Sequence, residues 1–340
     1  MGKTSIQWTE FSLNPIRARI RGASVKDSVG HYCVKISSGC RNCYASRLQP
    51  RFGLPVFQEQ RGDLVPDVFL DVSKLDEVLR RKKPTTYFWC DMTDMFGEWV
   101  PDEWIAACFG VMAATPQHTH QVLTKRSQRM RAWFDWSKAR TPNAFWGPTM
   151  ASIGAASFDE PRCDVLWRAA NMAAGADLPL PNVVLMVSAE NQEQADLRIP
   201  DLLACPATVR GISAEPLLGP IELQRFRGWL EPFQELDPLL RKTPRLQWVI
   251  IGGESGPKAR PYHVEWGERI VEQCKEAGTA VFMKQVGRRP TVAAESWRKW
   301  RELGASLADA DGGRNLVILS DGHGGDMAEW PEELRIREFP

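Results

Sequence analysis

Residues 183–191 read Val183-Val184-Leu185-Met186-Val187-Ser188-Ala189-Glu190-Asn191, an apolar, β-branched run that stops at a polar cluster. An unbroken apolar run of this length describes a strand covered on both faces, as in parallel sheets. The next run, Val209-Arg210-Gly211-Ile212, ends in Ser213-Ala214-Glu215-Pro216, and a helical stretch separates the two. Outward from this pair the unit repeats. Upstream, Thr86-Tyr87-Phe88-Trp89 leads into Cys90-Asp91-Met92-Thr93-Asp94, and Gln121-Val122-Leu123 into Thr124-Lys125-Arg126. Downstream, Trp248-Val249-Ile250-Ile251 leads into Gly252-Gly253-Glu254-Ser255, and Ala280-Val281-Phe282-Met283 into Lys284-Gln285. Strand followed by helix, repeated, is the signature of a β/α architecture.

The expected fold class is α/β, as a partial (open) β/α barrel. In such folds the loops after the strand carboxyl ends build the active site. Acidic groups recur on that rim here, as Ser-Ala-Glu at 188–190 and 213–215 and Gly-Glu-Ser at 253–255. Two readings fit them. Polar turn residues mark where any chain surfaces, whereas the mixed signs of Asp91, Asp94, Lys125, Glu190, Glu215, Glu254 and Lys284 suit a zwitterionic ligand. The barrel is expected over residues 1–289, with insertions at about 16–32 and 140–181, the latter carrying a short helix around Val165 to Ala173. Residues 290–340 read as a C-terminal extension packing on the barrel, with a helix near Ala293 to Leu303 and a glycine-rich loop at Asp321-Gly322-His323-Gly324-Gly325 that folds back.

The 340 residues, 43% hydrophobic and 25% charged, suffice for one large core or two modest ones. A formal net charge of +1 gives no whole-molecule field to steer the chain onto nucleic acid or an anionic membrane, so such contacts need a local patch. No apolar run approaches the roughly 20 residues that span a bilayer, and Met1-Gly2-Lys3-Thr4-Ser5 lacks the layout of a secretory signal. A cytoplasmic protein with no membrane partner is expected. Eight cysteines in a long chain of this kind argue against a disulfide framework. Five of them, at 90, 108, 163, 205 and 274, stand singly and read as buried small hydrophobes.

The other three form Cys33-x6-Cys40-x2-Cys43, followed by Tyr44-Ala45-Ser46-Arg47-Leu48 as the start of a helix. Closely spaced thiolates grip one metal centre, and Gly39 permits the turn that aims the pair inward. Iron-sulfur clusters and structural zinc are the usual occupants. Three cysteines on a four-iron cluster leave one iron open to an exogenous molecule. A structural zinc needs a fourth ligand, for which His31, Cys90 and Cys274 are candidates.

At these residues the chain resembles a known family, the phage-associated radical S-adenosylmethionine-like proteins, a phage and bacterial domain of unknown function. The resemblance spans most of the sequence. Its carriers are Ser5-Ile6-Gln7-Trp8-Thr9 with Asn14-Pro15, Gly39-Cys40-Arg41-Asn42-Cys43-Tyr44-Ala45, and Leu123-Thr124-Lys125-Arg126 with Arg129-Met130. Further on stand Ser188-Ala189-Glu190-Asn191-Gln192 with Arg198, Ser213-Ala214-Glu215-Pro216, and Gly252-Gly253-Glu254-Ser255-Gly256 with Ala259-Arg260-Pro261. The resemblance implies a radical SAM-type partial barrel of about six to seven parallel strands. It also implies a [4Fe-4S] cluster on Cys33, Cys40 and Cys43, S-adenosyl-L-methionine as cofactor, an external electron donor, and a 5′-deoxyadenosyl radical. A phage-encoded protein of this kind works in the host cytoplasm. The x6-x2 spacing differs from the commoner x3-x2. Asn42 stands where an aromatic residue usually precedes the last cysteine, with Tyr44 after it.

Site roles follow as expectations. Asp91 and Asp94 are candidates for the cofactor's amino group, with Ser188, Ser213 and Tyr44 also on the cofactor side. Glu190, Glu215, Glu254 and Lys125 are the candidate catalytic residues, and Lys125 and Arg126 suit a carboxylate or phosphate. For substrate, the basic and aromatic residues of 125–138, with Arg17, Arg19 and Arg21, point to DNA or RNA, in modification or repair. Met130, Trp133 and Phe134 also fit the inner face of an ordinary amphipathic helix. Two alternatives stand beside this: radical modification of a peptide or small metabolite, and a non-catalytic zinc-stabilised module that binds nucleic acid.

Overall fold

The computed structural model describes residues 2–22, 25–48, 66–141, 145–159, 161–225, 229–230, 244–310 and 313–340, with backbone alone at 20–22 and 25–28. The first strands are β1 (Gly2–Lys3), β2 (Phe11–Leu13), β3 (Ile16–Gly22), β4 (Val25–Gly30) and β5 (Asp67–Leu70), with helix α1 (Tyr44–Leu48) between the last two. Helix α2 (Val72–Arg80), strand β6 (Thr86–Trp89), helix α3 (Asp102–Ala113), strand β7 (Thr119–Thr124) and helices α4 (Ser127–Ala139), α5 (Trp146–Ala155) and α6 (Arg162–Met172) follow. Next come β8 (Val183–Ser188), α7 (Gln192–Ala204), β9 (Val209–Ala214), β10 (Trp248–Gly252), β11 (Tyr262–His263), α8 (Val264–Ala277) and β12 (Ala280–Gln285). The chain finishes with β13 (Pro290–Val292), α9 (Trp297–Glu302), β14 (Ser306–Ala310) and β15 (Arg314–Ile318).

The protein is α/β, with an eight-stranded sheet in the order β1-β2-β6-β7-β8-β9-β10-β12. The pairings β2–β6, β6–β7, β9–β10 and β10–β12 are parallel, and the short β1 is antiparallel to β2. All six apolar runs of the sequence lie in these strands. Every residue of β8 and β10 is buried, as unbroken apolar runs require. Two compact units divide the chain. One holds Met1–Ile36, Cys43–Met186 and Ala204–Thr208, the other Ser37–Asn42, Val187–Leu203 and Val209–Pro340.

In the first unit, the insertion expected at 16–32 forms β3 and β4, an antiparallel pair that β5 extends. The 140–181 insertion holds the expected helix as α6, and also α5 ahead of it. Helix α5 approaches α3 through small residues: a Cβ on Gly110 would stand 2.5 Å from Ala151 Cα, and one on Gly154 2.6 Å from Ala107 Cβ. A buried polar chain crosses this unit. Trp89 Nε1–H donates to His120 Nδ1 at 3.0 Å, His120 Nε2 lies 3.0 Å from Thr115 Oγ1, and that hydroxyl donates to Val111 O.

Burial, reinforced by His118, pushes the His120 pKa down to about 3. The imidazole is therefore neutral in the fold but takes a proton near pH 6.5 once unfolded. Its stabilisation is complete above pH 6.5 and is lost as pH falls toward 3. Urea unfolding should show a loss of about 1–2 kcal/mol from this residue between pH 6.5 and 5. His120→Gln should remove that part of the slope, and an unchanged pH dependence in the variant would contradict the assignment.

In the second unit, β11, β13, β15 and β14 form a small sheet. The final segment lies along β12: Met283 N–H donates to Ile336 O, Glu338 N–H to Val281 O, and Trp248 Nε1–H to Glu338 O. The glycine-rich loop folds back as expected, with Val286 N–H donating to Gly324 O at 2.8 Å. Among the described residues, no helix is long and apolar enough to cross a membrane.

Candidate functional site

The strand ends hold the backbone of the cysteine stretch. In the first unit, the Thr93 hydroxyl donates to Tyr32 O on one side of Cys33, and Arg126 Nη2 donates to Val34 O on the other at 2.8 Å. Arg126 is itself fixed. Its guanidinium meets Asp94 at 3.1 Å and Glu98 at 3.0 Å, and lies over the Trp99 ring, whose edge contacts Tyr32. Burial works against the Arg126 charge, but Asp94, Cys33 and Glu98 outweigh it and raise its pKa. Asp94 is saturated by its own turn, accepting from Phe96 N–H, the Thr124 hydroxyl, Lys125 N–H and Arg126. Asp91 accepts from Asn14 Nδ2 at 2.5 Å and from the Tyr44 hydroxyl at 3.0 Å, so it secures the helix that starts after Cys43.

In the second unit the same device works through two glutamates. Glu190 is fully buried, accepts the Gly39 N–H at 3.0 Å and pairs with Arg198 at 2.9 Å. Arg198 also donates to Ser188 O. Glu254 accepts from Asn42 Nδ2 at 2.9 Å and from both the backbone and guanidinium of Arg260. Burial draws the Glu254 carboxyl upward, but the bonds from Arg260 and Asn42 prevail and hold it below the usual carboxylate range. The Asn42 amide also donates to Lys258 O at 2.8 Å.

Of the remaining candidates, Glu215 pairs with Lys284 at 2.7 Å, Ser188 and Ser213 are buried, and Ser213 O accepts from Ala189 N–H. Lys125 is half-buried. The expected nucleic-acid patches are largely spent inside the chain. Arg17 pairs with Asp71 and Arg19 with Asp67, while the Arg21 side chain lies outside the described residues. On α4, Met130, Trp133 and Phe134 are buried and Arg129 pairs with Asp102, so the amphipathic-helix reading holds there.

The three cysteines differ from the rest in exposure. Cys33, Cys40 and Cys43 are half-buried, whereas Cys90, Cys108, Cys163, Cys205 and Cys274 are buried. Burial pushes the Cys90 thiol well up and the Cys274 thiol to about 12, as expected of buried small hydrophobes. The trio supplies accessible thiols on one short stretch, the donor type that iron-sulfur clusters take. Among the described residues, no three His, Cys, Asp or Glu side chains are gathered as a ready-made ion site.

Asn14, Asn42, Arg198 and Arg260 are the residues that sequence reasoning assigned no role. Their positions beside Pro15, Cys43, the Ser-Ala-Glu turn and the Gly-Gly-Glu turn were the available signal. No curated protein and no solved structure matches the chain. The model of a family described as "Protein of unknown function (DUF5131)" matches residues 3–310. That match takes in both compact units and all three cysteines, and the chain belongs to this family.

Proposed function

We propose that the chain is an iron-sulfur enzyme of the radical S-adenosylmethionine type, built on a partial β/α barrel and acting on nucleic acid. What supports the reading is the fastened cysteine stretch. Its three thiols stay accessible while the backbone around them is held by Thr93, Arg126, Glu190, Glu254 and Asp91. Soft donors with open access, on backbone tied down by neighbouring residues, are what a catalytic metal centre needs. A [4Fe-4S] cluster on these thiols would supply one-electron reduction of the S-adenosylmethionine sulfonium, whose cleavage would give methionine and the 5′-deoxyadenosyl radical. Cys33, Cys40 and Cys43 are the residues that hold the cluster. In the first unit Asp91 secures the helix after Cys43, and in the second Glu190 and Glu254 fix Gly39 and Asn42 beside Cys40.

Anaerobic purification tests the reading. The expected protein is brown, with about four irons per chain. Cys40→Ala should lose nearly all of that iron while its far-ultraviolet circular dichroism and melting transition stay as in the parent. Colourless protein carrying one zinc, or a Cys40→Ala variant that keeps its iron, would overturn the proposal.

A further inference from the structure

Four of the basic residues expected to carry the substrate half of that proposal, Arg17, Arg19, Arg126 and Arg129, are in ion pairs within the chain. The second unit offers another. Asn42 bonds Lys258 O and Glu254, Arg288 N–H donates to Glu254 O at 2.8 Å, and His323 Nδ1 lies 3.3 Å from Ser255 O. Four chain segments therefore meet at one turn, bringing Arg41, Lys258 and Arg288 to its edge, with His323 beside them. All four are exposed, and among the described residues no acidic side chain pairs with Arg41, Lys258 or Arg288. The acids nearby are occupied. Glu254 is neutralised by Arg260, and the Asp321 carboxylate accepts N–H groups of His323, Gly325 and Asp326.

We propose that this rim, formed by Arg41, Lys258 and Arg288, binds the phosphodiester backbone of single-stranded nucleic acid. Cations spread along an open edge and left without partners suit a ligand whose charges repeat, because each contact releases a condensed counterion. A near-neutral chain gives no general attraction, so this local excess decides where a polyanion lands. Arg41 directly follows Cys40, which puts the rim on the cysteine stretch itself. The inference deepens the nucleic-acid reading of the proposed function and is independent of its metal half.

Fluorescence anisotropy of the full chain with labelled twenty-nucleotide thymidine DNA and uridine RNA strands tests it, across 0.05–0.2 M salt. Substituting glutamine at Arg41, Lys258 and Arg288 together should lower the log-log salt slope by about 2 and weaken binding at 0.1 M roughly a hundredfold, about fivefold per lost phosphate contact. Arg131→Gln with Lys138→Gln, on α4, should bind within about twofold of the parent. Should the triple variant fold poorly, Arg288→Glu alone should weaken binding by about fivefold or more. Parent-like binding by the rim variants overturns the proposal, as does greater loss from the α4 variant. So does capture of phosphatidylserine vesicles by a chain that ignores both oligonucleotides. None of these outcomes alters the iron count, so failure of the rim is told apart from failure of the cluster.

Discussion

Arg198→Met should destabilise the protein by about 3–5 kcal/mol, because it leaves the fully buried Glu190 carboxylate without its counter-charge. The Gly39 N–H carries no formal charge to replace that of Arg198. Urea unfolding gives the loss directly. The paired change Glu190→Leu with Arg198→Met should recover much of it, since apolar replacement of a buried ion pair is often neutral or better. That double variant still lacks an acceptor for Gly39, a hydrogen bond to a charged group worth about 1.5–3 kcal/mol. Amide exchange in the 37–42 peptide should therefore accelerate about tenfold or more, although global stability has returned. Slow exchange in the double variant would show that Glu190 does not hold the loop.

The second large effect is expected at Gly324, where the C-terminal loop meets the end of β12. Its φ is +66°, and an added Cβ would stand 2.2 Å from Gly287 O and 2.8 Å from Gly287 N. Gly287 in turn packs against Gly253, with its own virtual Cβ 2.8 Å from the Gly253 carbonyl carbon. Three backbones thus touch with no flexible side chain between them to yield. Gly324→Ala combines left-handed strain of about 1–2 kcal/mol with overpacking of about 1–3 kcal/mol. The gain from a stiffer unfolded chain, about 0.4–1 kcal/mol, does not offset these. A net loss of about 2–4 kcal/mol in urea unfolding follows, with faster exchange at Val286, whose N–H bonds Gly324 O. Gly322→Ala is the control. Its nearest neighbour is the tip of Arg288 at 3.9 Å, and it should be close to neutral.

Much of the architecture was legible because buried parallel strands announce themselves. Val183–Val187 and Trp248–Ile251 have no polar interruption, and β8 and β10 are buried throughout. Shorter or mixed elements gave no such signal. Phe11–Leu13 pairs with β6 over three residues, Ser306–Ala310 carries two alanines and an aspartate, and α5 is built of small residues whose value lies in fitting α3. At the site, sequence located the acids of the strand ends but not their partners. Glu190 and Arg198 are eight residues apart, which is readable, yet the group they serve, Gly39, is 151 residues away. A zwitterionic ligand and a polar backbone segment ask for the same carboxylates, so the strand-end acids alone did not reveal their backbone partners.

That separation along the chain also sets an order of events during synthesis. The Gly39 amide leaves the ribosome 151 residues ahead of Glu190, and Asn42 precedes Glu254 by 212. At about 5–20 residues per second, the nascent thiols wait roughly ten to forty seconds before their last fastening exists. Until then the stretch has only its earlier fastenings, to Asp91, Thr93, Arg126 and Glu190.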